Sequence, residues 1–163
     1  MAYRNDKEYM SYVGPLLAHE KVQRLEGITH HIHSNRLEHS LNVSYTSYKI
    51  AKKMGWDASS AARGGLLHDL FFYNWGDAKF KKSHAWVHPR IAVRNARKVT
   101  TLNAKEEDII VKHMWGMTLA PPKYKESYVV TMVDKYWAMR EALSPLTTAL
   151  KKRPRFHRKE LKH

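Results

Sequence analysis

The chain has 163 residues, 43% of them hydrophobic, with 29 Lys and Arg against 15 Asp and Glu for a net charge of +14, and it has no cysteine. That size and apolar content suit one domain whose core stands without staples, and the missing thiols exclude disulfides, thiolate metal sites and a cysteine nucleophile, so any metal must be held by His and carboxylates. The positive balance implies attraction to polyanions such as nucleotides or nucleic acid. No window approaches the run of about 20 apolar residues that a membrane span needs, and the segment MAYRNDKEYM has no signal-like apolar stretch, so a soluble, cytoplasmic protein is expected.

Strand signals are sparse and helix punctuation recurs, so the expected fold class is all-α. A first helix is predicted around Asp6 to His19, with Gly14-Pro15 expected to kink or end it. The clearest segment runs from Ser34, read as an N-cap, to Gly55 as a stop, with Leu37, Leu41, Tyr45, Tyr48 and Ala51 forming a buried stripe. Asp57 then caps a helix through Ala61, Ala62, Leu66 and Leu67 up to His68-Asp69. Gly64 and Gly65 weaken that helix unless backbones must pass closely, so close packing beside His68 is inferred. Phe71 to Val87 reads as an irregular aromatic and basic connection, after which His88-Pro89 opens a helix reaching about Val99. Asn103 and Glu106 form a capping box for Ala104 to Trp115, stopped by Gly116, with His113 on the inward face of Ile109 and Ile110. Beyond Pro121-Pro122 a last helix spans about Glu126 to Leu143, burying Val129, Val130, Val133 and Trp137. Residues 1–150 are thus read as one domain, and 151–163 as a basic tail, expected to be frayed, whose seven Lys/Arg against one Glu supply +6 of the +14.

Packing alone does not explain a His-Asp pair closing the Leu66-Leu67 run, or an Asp inside VVTMVDKYW. A buried carboxylate costs several kcal/mol unless paired or bound to a cation, so Asp69 and Asp134 both call for a positive partner, and a metal ion would supply it. His39, His88 and His113 each fall on or at the start of a different helix, so a bundle could bring six ligands together at its centre. The competing reading makes His88 a neighbour of an N-cap and His113 a hydrogen-bonded core histidine, which leaves a mononuclear site.

The stretch RLEHSLNVSYTSYKIAKKMGWDASSAARGGLLHDLFFYNW, followed by HPRIAVRNA, VKHMWGM and VTMVDKYW, resembles the HD-domain superfamily over about residues 34 to 143. The resemblance implies an all-α HD-domain helical bundle. It also implies that His39, His68, Asp69 and Asp134 are core metal ligands, and that His88 and His113 are the added pair of the binuclear members, with Asp69 bridging. The implied cofactors are two divalent metal ions, Mn or Fe ahead of Zn, Ni, Co or Mg. The implied chemistry is phosphate-ester hydrolysis of a small phosphorylated or nucleotide-like substrate by a metal-activated water, with Asp69 and His68 as catalytic residues.

Arg36, three residues before His39, and Arg63 and Lys135 are candidate substrate-phosphate cations, with Lys112 more readily a solvated charge. Many hydrolases of the superfamily read His-Asp-x-Gly-Lys, whereas this chain reads His68-Asp69-Leu70-Phe71-Phe72, so another cation such as Lys79 or Lys81 must substitute or the reaction differs. Two alternatives stay open: an HD-type di-iron oxygenase, and a basic nucleic-acid-binding module with a relict metal site. His30, His31 and His33 are placed in an exposed loop, His19, His84, His157 and His163 on the surface, and the five Trp in core or pocket wall.

Overall fold

The computed structural model describes the backbone of residues 2–31, 34–73 and 83–151, and the side chains of residues 3–28, 35–73 and 83–143. Helices dominate: α1 (Lys7–Leu17), α2 (Glu20–Gln23), α3 (Arg36–Lys53), α4 (Ala58–Leu67), α5 (His84–Ala96), α6 (Ala104–Lys112) and α7 (Lys125–Lys151). The expected all-α class holds, with one small addition. Strands β1 (Thr29–His31) and β2 (Ser34–Asn35) pair antiparallel just before α3, too short for any alternating pattern to show in the sequence. They include His30 and His31, while His33 lies outside the described residues. No described helix is long and apolar enough to cross a membrane.

Local chemistry explains the helix ends. The carboxylate of Asp6 accepts from Tyr9 N–H at 3.1 Å to cap α1. Gly14-Pro15 neither ends nor breaks that helix, which runs on to Leu17, because proline removes one hydrogen bond while Tyr9, Val13 and Leu16 bury a full stripe. The cap of α3 is Asn35, whose side chain accepts from Glu38 N–H at 2.8 Å, and not Ser34, which is taken up in β2. Gly55 turns left-handed at φ 66°, with Trp56 N–H reaching back to Ala51 O at 2.8 Å, which closes α3 as a Schellman end. Asp57 caps α4, and Asn103 with Glu106 forms the expected capping box on α6.

Three boundaries differ from expectation. α5 starts at His84, one turn before His88, so Pro89 is inside the helix and gives up one backbone bond, and it ends at Ala96. α6 ends at Lys112 with His113 as its C-cap, ahead of Trp115 and the left-handed Gly116. α7 continues past Leu143 to Lys151, leaving the rest of the basic tail outside the described residues.

α3 is the central element, packed chiefly on α4 and α7, while α6 bridges α4, α5 and α7. It buries its apolar stripe (Leu37, Leu41, Tyr48, Ala51) and also Arg36, His39, Ser40, Val43, Ser44 and Ser47, so that most of its circumference is covered. The main core joins α1, α3, α4, α5 and α6, and a smaller one sets Val43 and Ile109 against Val130 and Val133 of α7. α4 crosses so close to its neighbours that a Cβ on Gly64 would meet Ile109 at 2.8 Å and one on Gly65 would meet Ser44 Cα at 3.0 Å, the close packing inferred beside His68. No described tryptophan is fully buried. Trp56, Trp86, Trp115 and Trp137 instead lie under Lys125, Arg90, Lys135 and Arg140, each cation 5.0–5.8 Å from its ring centroid, so part of the basic surface is anchored on aromatic faces.

Candidate metal centre

Five elements deliver the six candidate ligands to one place. His39 comes from the first turn of α3, His68 and Asp69 from the end of α4, His88 from the second turn of α5, His113 from the end of α6 and Asp134 from the middle of α7. All but Asp134, whose side chain is 13% exposed, are buried. His68 and His113 are the C-caps of α4 and α6, so the negative ends of two helix dipoles lie at the cluster and favour a cation.

Every imidazole is held by its far nitrogen. His68 Nδ1 donates to Gly65 O at 2.8 Å, His113 Nδ1 to Ile110 O at 2.8 Å and His88 Nδ1 to His84 O at 2.9 Å. His39 Nδ1 faces the Glu141 carboxylate at 3.1 and 3.2 Å. With the Nδ1 protons engaged, the Nε2 lone pairs are left for the centre, an assignment made from these partners. His39 Nε2 stands 3.0 Å from Asp134 Oδ1 and His68 Nε2 stands 3.5 Å from the same oxygen. Asp69 divides its carboxylate, with Oδ1 3.4 Å from both His88 Nε2 and His113 Nε2, and Oδ2 3.9 Å from His68 Nε2.

Two overlapping groups could each hold a metal ion, with donor atoms within 4.8 Å of one another: His39, His68 and Asp134, and His68, Asp69 and His113. His88 joins the second group, its Nε2 being 2.7 Å from His113 Nε2. Two acceptor nitrogens come so close only with a proton or a cation between them. His68 Nε2 and Asp69 Oδ1 are buried with no hydrogen-bond partner, a burden of about 1–3 kcal/mol each that a cation at the centre removes. The residues therefore fit a divalent metal.

In the metal-free cluster a proton on His39 takes the place that a cation would fill. Burial opposes charge on His39, but its bonds to Asp134 and Glu141 outweigh that and push the imidazole up to about 10. Burial, with His113 alongside, pushes His88 down to about 3 and keeps it neutral. Burial would raise Asp69 and Asp134, yet the surrounding histidines hold Asp69 well below the usual carboxylate range and lower Asp134 too, so both are ionised.

The candidate substrate cations are placed differently. Arg36 is 2% exposed, donates to Phe71 O at 2.7 Å and Tyr73 O at 3.3 Å, and lies 3.7 Å over the Phe71 ring. It fastens the segment that follows Asp69. Arg63 bonds Glu106, Thr100 and Thr101 around the start of α6, in a pocket apart from the ligand cluster. Lys135 donates to Trp115 O across its ring. Lys112 occupies the last turn of α6, and Lys79 and Lys81 lie outside the described residues.

Two residues near the centre went unread in the sequence. His84 is no surface histidine: its ring stacks 4.4 Å from His88 and meets Phe71 and Tyr73 at 5.5 and 5.7 Å. Its spacing four residues before His88 would have placed it there had the start of α5 been legible. Glu141 stands seven residues after Asp134, two turns along the same helix face, but next to Arg140 it reads as a solvated charge.

No curated protein and no solved structure gives a match to this chain. The family model for the HD domain matches residues 36–139, a span that begins at the first residue of α3 and takes in all six clustered candidate residues. With nearly two thirds of its length so matched, the chain belongs to the HD domain family.

Proposed function

We propose that this protein is a metal-dependent phosphohydrolase that cleaves a phosphate ester of a small phosphorylated or nucleotide-like substrate, with two divalent ions held by the six clustered residues. The observation that carries the reading is the convergence of the imidazole Nε2 atoms of His39, His68, His88 and His113 on Asp69 and Asp134, with every Nδ1 already engaged. His39, His68 and Asp134 would hold one ion, His88 and His113 the other, and Asp69 would reach both through its separate oxygens. Such a pair, when bound, supplies Lewis-acid chemistry that lowers the pKa of water and polarises a phosphoryl oxygen.

The chain's own residues bind and orient. Asp69 and His68 link the two halves and are the catalytic pair of this reading. Arg36 contributes by holding Phe71 and Tyr73 in the wall beside Asp69, and its charge supports the ionised carboxylate. Tyr73 and His84 line the same side as His88. The net charge of +14 suits an anionic substrate, with Lys79 and Lys81 as the remaining candidates for its phosphate.

Elemental analysis of the purified chain, paired with a screen of phosphomonoesters and phosphodiesters under Mn²⁺, tests the proposal. About two metals per chain with ester cleavage is expected, and Asp69→Ala should lose both metal and turnover while His19→Ala keeps them. Two irons with substrate-dependent O₂ uptake and no cleavage would replace the hydrolase by an oxygenase. Full metal content in Asp69→Ala would sink the ligand assignment.

A further inference from the structure

Among the four clustered histidines, His39 alone has a carboxylate behind its ring; the Nδ1 atoms of the other three face main-chain carbonyls. α7 supplies both partners of His39. Asp134 Oδ1 lies 3.0 Å from Nε2, and both carboxylate oxygens of Glu141 lie 3.1 and 3.2 Å from Nδ1. A seven-residue separation returns to nearly the same face two turns on, so one helix brackets one imidazole from both ends. The Glu141 side chain is only 11% exposed. Glu141 also lies two residues past the end of the HD domain match at residue 139, so membership of the family does not predict it.

We infer that Glu141 is a positioning residue that fixes the orientation of His39, makes its Nε2 a stronger donor, and thereby makes the His39–His68–Asp134 half the first of the two to take up metal. A carboxylate that accepts the Nδ1 proton of a ligand imidazole draws that proton toward itself and raises electron density at Nε2. A main-chain carbonyl does so less, being uncharged. The His39 half also has Asp134 to itself and Glu141 behind it, whereas among the described residues His88 and His113 share Asp69 as their carboxylate. The halves are therefore unequal in negative charge, and a divalent ion added in small amounts settles at the His39 end first.

This inference rests on the metal reading of the cluster, and the test separates the two. Chelator-treated full-length protein is titrated with Mn²⁺ by calorimetry and by the paramagnetic resonance signal of free Mn²⁺, for wild type, Glu141→Gln and Glu141→Ala. The tighter step should weaken about 10–100-fold in Glu141→Ala and by less in Glu141→Gln, which keeps an acceptor oxygen, with the weaker step changed less than about twofold. Circular dichroism of each metal-free variant reports its folding, and the glutamine variant keeps the test open if the alanine variant unfolds. Unchanged affinities, or equal weakening of both steps, overturn the role of Glu141. A wild type that takes up no Mn²⁺ overturns the metal reading, and this inference with it.

Discussion

Gly65→Ala probes the contact that sets the position of His68. A Cβ at Gly65 would lie 3.0 Å from Ser44 Cα and 3.3 Å from Ser44 N, against the 3.5–4.0 Å at which carbon atoms rest. Ser44 offers little relief: the atoms met first are backbone, and its Oγ donates to Ala62 O at 2.6 Å while accepting from Tyr9 OH at 2.8 Å. α3 and α4 must therefore separate by a few tenths of an ångström. Overpacking of this kind costs about 1–3 kcal/mol and alanine returns up to about 1 kcal/mol in helix propensity, leaving a net loss of about 1–2 kcal/mol. At about 2.1 cal/mol/K per residue, unfolding 163 residues carries roughly 0.34 kcal/mol/K, so Tm falls by about 3–6 °C. His68 Nδ1 is bonded to the Gly65 carbonyl, so Mn²⁺ affinity should fall as well. Gly27→Ala is the control, since its Cβ would meet nothing within 4 Å, and it should raise Tm by about 1–3 °C. Scanning calorimetry of the metal-free proteins measures both. A Gly65→Ala protein as stable as wild type would refute the claim that this crossing is closed to a methyl group.

The metal-free protein should be more resistant to urea at pH 6 than at pH 9.5. His39 is raised from 6.5 to about 10 in the folded state, so the stability it contributes is whole below about pH 6.5 and is lost as pH climbs through about 10. The whole span amounts to a few kcal/mol, because Asp134 shares the same interaction. Equal midpoints at the two pH values would contradict the pairing. Arg36→Met should cost about 3 kcal/mol by urea titration, since the buried carbonyl of Phe71 and the half-buried one of Tyr73 lose a charged donor. A loss under about 0.5 kcal/mol would show that Arg36 does not hold that segment.

Two of the candidate ligands stood out in the sequence because each contradicts its surroundings, and the histidines followed from their helix positions and the family resemblance. Asp69 follows Leu66-Leu67, and Asp134 interrupts an apolar helix face, and a carboxylate in such a setting needs a cation wherever the chain folds. Helix starts with a capping side chain, at Asp57 and Asn103, were equally plain. The start of α5 was not, because the Ser83 side chain makes no cap bond and Pro89 marks a helix start that is not there. The tryptophans were legible in part: Trp137 packs against the smaller core as a large ring should, Trp75 lies outside the described residues, and only the fold lays a lysine or arginine across the other three.

What the sequence determined by itself was local: the helical class, most of the caps, the glycines where α4 passes close to α3 and α6, and six candidate ligand side chains. Tertiary structure alone decided the partnerships. It committed Arg36 to the Phe71 and Tyr73 carbonyls, drew His84 against His88, and set Glu141 behind His39 across 102 residues of chain. A cap or a buried stripe is fixed by neighbours within about four residues. The partner of a charged side chain is fixed by which helix packs over it, and that follows from the burial of the whole core.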